Sequence, residues 1–305
     1  MSERSERILT TLSDGGCFFE GPRWHDGAWW VSDFYRHGIF TVTTDGVETQ
    51  VAEVPGQPSG LGWLPDGTLI AVAMKDHQVL RVAADGTTSV HADLTDVGVE
   101  GPLNDMVVSA TGHAYVGSFG FDLMSGHDPQ PSPIYHVTPE GDVSIGAEGL
   151  HFPNGSVISP DGSTLIVGET MGCRYTAFTI DPDDGSLSDR RVHAQIAPTP
   201  PMGSFAETLG SVTVGPDGCG LDAEGHIWMA DAIGARVLRI APGGEIVDEV
   251  AAPEGQGAFA CMLGGDDGRT LLVCLAPDFF EHARRAAHEA VLATTPVDVP
   301  RAGLP

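Results

Sequence analysis

The stretch Gly215-Pro-Asp-Gly-Cys-Gly-Leu-Asp-Ala-Glu-Gly-His-Ile-Trp-Met-Ala-Asp231 sets out a layout that recurs around the whole chain. A turn ending at Gly225 leads into the apolar run Ile227-Trp-Met229, then come the strand Arg236-Val-Leu-Arg-Ile240 and a second turn at Gly243-Gly244. Strand, hairpin, strand, hairpin is the reading this pattern supports. The layout returns at Asp26-Gly27, Asp66-Gly67, Thr111-Gly112, Asp161-Gly162 and Asp267-Gly268, making six copies with Gly225. Successive glycines are 40, 45, 50, 63 and 43 residues apart, the period of a four-stranded blade with loops of varying length. Five copies carry a second turn, at Gly46, Gly86, Gly141, Gly185 and Gly244, and three of these follow the first by 19 residues. A unit regular inside and irregular outside predicts an all-β chain: a six-bladed β-propeller with four-stranded antiparallel blades, 1–305 as one domain.

Counting back from each first glycine reaches the start of the preceding, innermost strand. Eight residues before Gly67, Gly112, Gly162, Gly225 and Gly268 lie Ser59, Asn104, Asn154, Asp217 and Ala260, and Glu20 lies seven before Gly27. Five of the six carry side-chain oxygen. In a propeller these strand starts converge at one end of the central channel, so Glu20, Asn104, Asn154 and Asp217 are expected to form an oxygen cage. Such a cage suits a hard divalent cation, Ca²⁺ or a partly hydrated Mg²⁺. Local turn formation explains Asn and Asp near strand entrances. It does not explain why four amide or carboxylate residues share one register.

A second column follows at the ends of the next strands: Asp33, Ala73, Ser118, Glu169, Asp231 and Leu275. Antiparallel pairing brings these ends back to the cage side. Asp33, Glu169 and Asp231 are therefore candidates to orient metal-bound water or substrate, against the alternative of exposed strand-end carboxylates.

Composition bounds the function. Fifteen Lys and Arg against 42 Asp and Glu give a net charge of −27, which leaves no basic footprint for nucleic acid or an anionic membrane. The five cysteines are odd in number, scattered and without a C-x-x-C pair, which argues against a disulfide framework or structural zinc. Cys219 and Cys261, near strand starts, read as small buried hydrophobes rather than nucleophiles. Met1-Ser-Glu-Arg-Ser-Glu-Arg7 has no apolar signal core, so a cytoplasmic location is expected. No phosphate loop, dinucleotide fingerprint or G-x-S-x-G elbow is present.

Residues 7–12 read as a strand that completes the sixth blade and closes the ring. Insertions are expected at 122–133 and 197–211, both as candidate lids or walls of the pocket, and a short helical insertion near 278–290.

The chain resembles the SMP-30/gluconolactonase/luciferin-regenerating-enzyme (LRE)-like family over nearly its whole length. The resemblance is carried by Glu20-Gly-Pro22, Asn104-Asp105, Pro153-Asn-Gly155 and Pro216-Asp-Gly218 followed by Leu221-Asp-Ala-Glu-Gly225. It implies one divalent metal ion, with Ca²⁺ foremost and Mg²⁺, Mn²⁺, Zn²⁺ or Fe²⁺ as alternatives, held by Glu20, Asn154 and Asp217. It also implies lactone hydrolysis, with Asn104 contacting metal-bound water or substrate and Asp217 helping to deprotonate the attacking water. Asn104, Ser59, Phe121 and Met202 are the expected substrate contacts. Sugar-lactone members carry Arg two residues before the Asn that is here Asn104, whereas this chain has Pro102. With Phe119, Phe121, Met124, Met202 and Phe205 in the nearby loops, a less polar lactone or ester is expected. A metal-dependent phosphotriesterase and a non-catalytic binding scaffold are the alternatives, and oligomeric state is not legible.

Overall fold

The computed structural model describes residues 7–305. Met1 to Glu6, part of the segment read as lacking a signal core, lie outside the described residues.

Six four-stranded antiparallel sheets form a ring. Their inner strands are Phe19–His25, Pro58–Trp63, Leu103–Val108, Pro153–Ile158, Pro216–Leu221 and Gly257–Gly264, and each packs on its neighbours around the channel. The first five blades run in simple sequence order, whereas the sixth takes its outermost strand, Thr10–Gly16, from the other end of the chain. That strand pairs with Ala290–Pro296, with Thr10 opposite Thr294, and it begins three residues later than the segment 7–12 singled out in the sequence.

Burial follows radial position. Leu103–Val108, Pro153–Ile158 and Pro216–Leu221 are buried at every residue, because a blade lies against each face of these strands. The outermost Thr88–Asp93 and Leu187–Gln195 expose most of theirs. The apolar runs that marked the second strands, such as Leu69–Ala73 and Ile227–Asp231, are likewise fully buried.

Every inner strand bulges. One extra residue stands between Glu20 and Arg23, Pro58 and Leu61, Leu103 and Met106, Pro153 and Ser156, Pro216 and Cys219, and Ala258 and Ala260. A bulge leaves part of a strand unpaired and re-aims its side chains, and in five blades it falls at the register of Glu20, Ser59, Asn104, Asn154 and Asp217. The next residue is Gly21, Gly60, Gly155 or Gly218 in four of them. A Cβ there would lie 2.7 Å from Ser59 O, 2.3 Å from Met106 N, 2.4 Å from Asp217 O and 2.6 Å from Ala260 Cβ, respectively. Glycine therefore lets each inner strand close against the next.

The insertions carry less helix in one place and more in another than the sequence pattern indicates. Residues 278–290 hold a single helical turn, α2 (Glu281–Arg284), before the last strand begins at Ala290. The Pro-rich 197–211 segment ends instead in α1 (Phe205–Ser211), closed by a capping box between Ser204 and Glu207. No helix among the described residues is long and apolar enough to cross a membrane.

Candidate active site

Glu20, Asn104, Asn154 and Asp217 meet at the base of a pocket of about 90 Å³ at one end of the channel. They come from four different blades, and each sits second in its inner strand. Above them the walls are aromatic and aliphatic: Phe18, Phe34 and Phe259 on one side, Phe119 and Phe152 on another. Leu123 and Met124 of the 122–133 insertion, Leu209 of α1 and Phe279 beside α2 complete the mouth. Two insertions lean on each other there, with Phe205 N donating to Asp128 Oδ1 at 2.9 Å.

The two floor carboxylates are strongly perturbed. Burial, followed by the nearby charges of Asp217 and Asp105, pushes the Glu20 carboxyl well above the ordinary carboxylate range. Burial does the same to Asp217, where the Asn154 side chain and the Gly218 amide oppose it and the charges of Asp105 and Asp231 add to it. Each accepts a bond from its own following glycine, Gly21 N to Glu20 Oε2 at 3.1 Å and Gly218 N to Asp217 Oδ1 at 3.0 Å. Arg23, buried beside them, is committed elsewhere. Its Nη2 lies 2.7 Å from Asp105 Oδ1, and it donates further to the carbonyls of Leu61, Pro22 and Met106. Asp105 is thus paired with Arg23, whereas Glu20 and Asp217 make no ion pair with a cationic side chain among the described residues.

The amides are oriented by neighbours that sequence reading missed. Thr170 donates its hydroxyl to Pro216 O at 2.6 Å, and a carbonyl can only accept. The hydroxyl therefore has only a lone pair to offer Asn154, which donates Nδ2 to it at 3.1 Å and turns its amide oxygen away from Thr170. Asn104 Nδ2 points to Pro153 O at 3.5 Å, a long contact to the next blade.

The carboxylates of the second column are fully buried, but they do not line the pocket. They hold the main chain just ahead of each cage residue. Asp33 accepts from Cys17 N (2.8 Å) and Phe18 N (3.1 Å) and pairs with Arg36 at 2.6 Å. Glu169 accepts from His151 N at 2.8 Å and pairs with Arg174 at 2.8 Å. Asp231 accepts from Gly215 N at 2.9 Å and pairs with Arg236 at 3.1 Å. Burial pushes the Glu169 carboxyl up, yet bonds from Arg174, Thr176 and the His151 amide prevail and hold it below its ordinary value. These three blades are the ones that supply Glu20, Asn154 and Asp217. The equivalent positions elsewhere are Ala73, Ser118 and Leu275.

Three expected substrate contacts lie outside the cavity lining. Ser59 is buried between blades, where its carbonyl accepts from Ser32 Oγ at 2.5 Å. Phe121 packs behind the wall against Phe152 and Phe205, and Met202 is half-buried in the extended approach to α1. All five cysteines are free and buried, and burial pushes the Cys219 thiol up to about 12, which removes it as a nucleophile at neutral pH.

The donor set at the floor is oxygen only: two carboxylates and amide oxygen. That is the chemistry of a hard cation, and a 2+ ion would balance the two uncompensated charges. Among the described residues no group of three or more His, Cys, Asp or Glu side chains is arranged to hold a metal. The amide of Asn154 is thus integral to any such site.

Among known proteins, the chain is 26% identical over 279 residues to pentonolactonase XacC of Haloferax volcanii, spanning 85% of this chain and 86% of that one. It is 24% identical over 268 residues to lactonase drp35 of Staphylococcus epidermidis, spanning 85% and 74%. Its fold superposes on that of a calcium-binding protein, regucalcin, from Agrobacterium tumefaciens with a TM-score of 0.78 at 21% identity, covering 98% and 97%. Residues 18–276 match the model of the SMP-30/gluconolactonase/LRE-like region, and the chain belongs to that family.

Proposed function

We propose that this protein is a metal-dependent lactonase, opening a lactone ring with water. The observation that carries the reading is the pair of buried carboxylates, Glu20 and Asp217, left without a cationic side chain beside Asn154 at the floor of an apolar pocket. Relatives named as lactonases support the reaction class.

Glu20, Asn154 and Asp217 would hold one divalent cation, Ca²⁺ foremost. Such a cation supplies Lewis acidity to a carbonyl oxygen. Asp217, a ligand as well as a carboxylate, helps to deprotonate the attacking water, while Gly218 N donates to its Oδ1 and fixes the group. Asn104 holds the substrate by hydrogen bonding, and the aromatic walls keep bulk water from the reacting carbonyl. Asp33, Glu169 and Asp231 act at one remove, fixing the main chain that presents the ligands. An uncharged phosphotriester is the alternative substrate class that a cation-free apolar pocket also suits. The test is metal content and turnover of lactone and phosphotriester panels, with and without chelator. Absence of both bound metal and metal-stimulated turnover would leave the propeller as a binding scaffold.

Two further results are expected. Thr170→Val keeps the volume but removes the hydroxyl that accepts from Asn154 Nδ2 and is itself fixed on Pro216 O, so Ca²⁺ affinity measured by calorimetry should fall roughly 10- to 100-fold. Unchanged affinity would remove Asn154 from the ligand set.

The second result concerns pH. Glu20 and Asp217 hold protons more tightly folded than unfolded, so the metal-free fold loses stability as pH rises from the ordinary carboxylate range through their raised values. Burial lowers His91, His136, His151 and His193, which act with the opposite sign up to the ordinary imidazole value. The discriminating quantity is therefore the rise in melting temperature on adding Ca²⁺. It should be larger at about pH 8 than at about pH 5, because the cation needs both carboxylates ionised. Equal rises at the two values would place the ion elsewhere.

A further inference from the structure

We propose that the pocket takes an uncharged lactone with an apolar body, an alkyl- or aryl-substituted ring rather than a polyhydroxylated one. This rests on the hydrolase reading above and adds the substrate class to it. Polar side chains that line the cavity are concentrated at the floor. Tyr35 also lines the cavity, and because its hydroxyl donates to Phe279 O at 2.9 Å it has only a lone pair to offer a ligand. The Thr170 hydroxyl is held between Pro216 O and Asn154. Above that level the walls are Phe18, Phe34, Phe119, Phe152 and Phe259, and no Lys, Arg or His lines the cavity among the described residues.

A sugar lactone would bring several hydroxyls against these rings. Each hydroxyl stripped of water without a partner lowers affinity roughly tenfold to a hundredfold. An acidic lactone would meet a chain of net charge −27 with no Lys, Arg or His on the walls to pair with its carboxylate. An apolar substituent instead gains from the same surface, about three- to fourfold in affinity per methylene buried.

The walls are preformed. Phe18 packs on Phe34 and Phe259 with ring centroids 5.2 and 5.0 Å apart, and Phe119 packs on Phe152 at 4.5 Å. The pocket therefore offers a shaped apolar volume above one polar end, which fits a molecule with a single carbonyl function and a hydrocarbon remainder.

The test uses δ-lactams, which keep the ring carbonyl but resist hydrolysis, titrated calorimetrically into the whole protein with and without Ca²⁺. Turnover of the corresponding lactones is measured in parallel. Affinity should climb about threefold per methylene along an alkyl series until the cavity is filled, and a polyhydroxylated lactam should bind at least tenfold more weakly than the best alkyl one. Met124 and Ile233 line the mouth and are each 41% exposed, so substituting them should spare the fold. Met124→Gln with Ile233→Asn should weaken the longest lactam roughly tenfold and leave the unsubstituted ring unchanged. Chain-length-dependent binding without turnover of any lactone would support the pocket assignment while removing the hydrolase reading. Turnover confined to sugar lactones, or lactam affinity that is flat with chain length, would keep or leave open the chemistry and overturn the substrate class.

Discussion

Asp217→Asn is expected to lower lactone turnover by roughly 10³-fold or more and to release the bound cation, while leaving the metal-free protein at least as stable as before. The loss of turnover follows from removing both a proton acceptor and an anionic ligand from one position. The stability result follows from the surroundings of the group. Burial and neighbouring carboxylate charge already push the Asp217 carboxyl well above its ordinary value, so in the metal-free fold at neutral pH its ionised form is held against an opposing field. An isosteric amide removes that charge and keeps an oxygen for the Gly218 amide. Turnover within a few-fold of wild type would remove Asp217 from the mechanism, and a marked drop in melting temperature would show that its role is structural.

Glu169→Ala should behave in the opposite way. This carboxylate is fully buried and bonded to Arg174, Thr176 and the amide of His151, and its removal leaves a partly buried guanidinium and a main-chain N–H without their partner. Breaking a buried pair from one side costs about 3–5 kcal/mol, on the order of 10 °C in melting temperature for a domain of this size. Phe152, which follows His151, adopts a φ of 62°, and its carbonyl is held by Thr170 N at 3.0 Å. Loss of the clamp frees this strained residue to relax, which shifts a pocket wall and Asn154 together, so cation affinity should fall with stability. Because the Glu169 carboxyl is held below its ordinary value, its stabilising contribution is present above the usual carboxylate pKa and lost as pH falls through the lowered one. Scanning calorimetry of both proteins, from neutral pH down to about pH 3, checks this. A melting temperature within a degree of wild type would dismiss the clamp.

The two substitutions separate the residues that were legible in the sequence from the physical work they perform. The propeller and its cage register could be read because turn glycines must adopt left-handed backbone: Gly67, Gly112, Gly162, Gly225 and Gly268 all have φ between 69° and 90°. The shorter count to Glu20 also has a local cause. Asp26 and Gly27 both have positive φ in a two-residue hairpin between His25 and Ala28, whereas Gly67 closes a longer turn on Leu64. The glycines that follow Glu20, Ser59, Asn154 and Asp217 are required by close approach between strands, a need that becomes visible only with the bulge each strand carries.

What could not be read depends on side-chain direction or on partners remote in sequence. Arg23 and Asp105 are 82 residues apart, and nothing near either one announces the pair. Thr170 orients Asn154 only because its hydroxyl is committed as donor to a third residue, the carbonyl of Pro216. Phe121 and Met202 were placed in the pocket from their loops, but membership of a loop does not say which way a side chain turns. Helix α1, by contrast, carried its signal in the Ser204 and Glu207 spacing of a capping box.

Because Thr10 pairs with Thr294, the ring stays open during biosynthesis until Ala290–Pro296 has left the ribosome. Thr10–Gly16 must wait for a partner 284 positions later, and contacts so distant in sequence form slowly. Glu20 and Asp217 stand in blades on either side of this last-closed sheet. The pocket floor is therefore completed by the final closure, and a nascent chain halted before that strand would carry Glu20, Asn154 and Asp217 without a competent site.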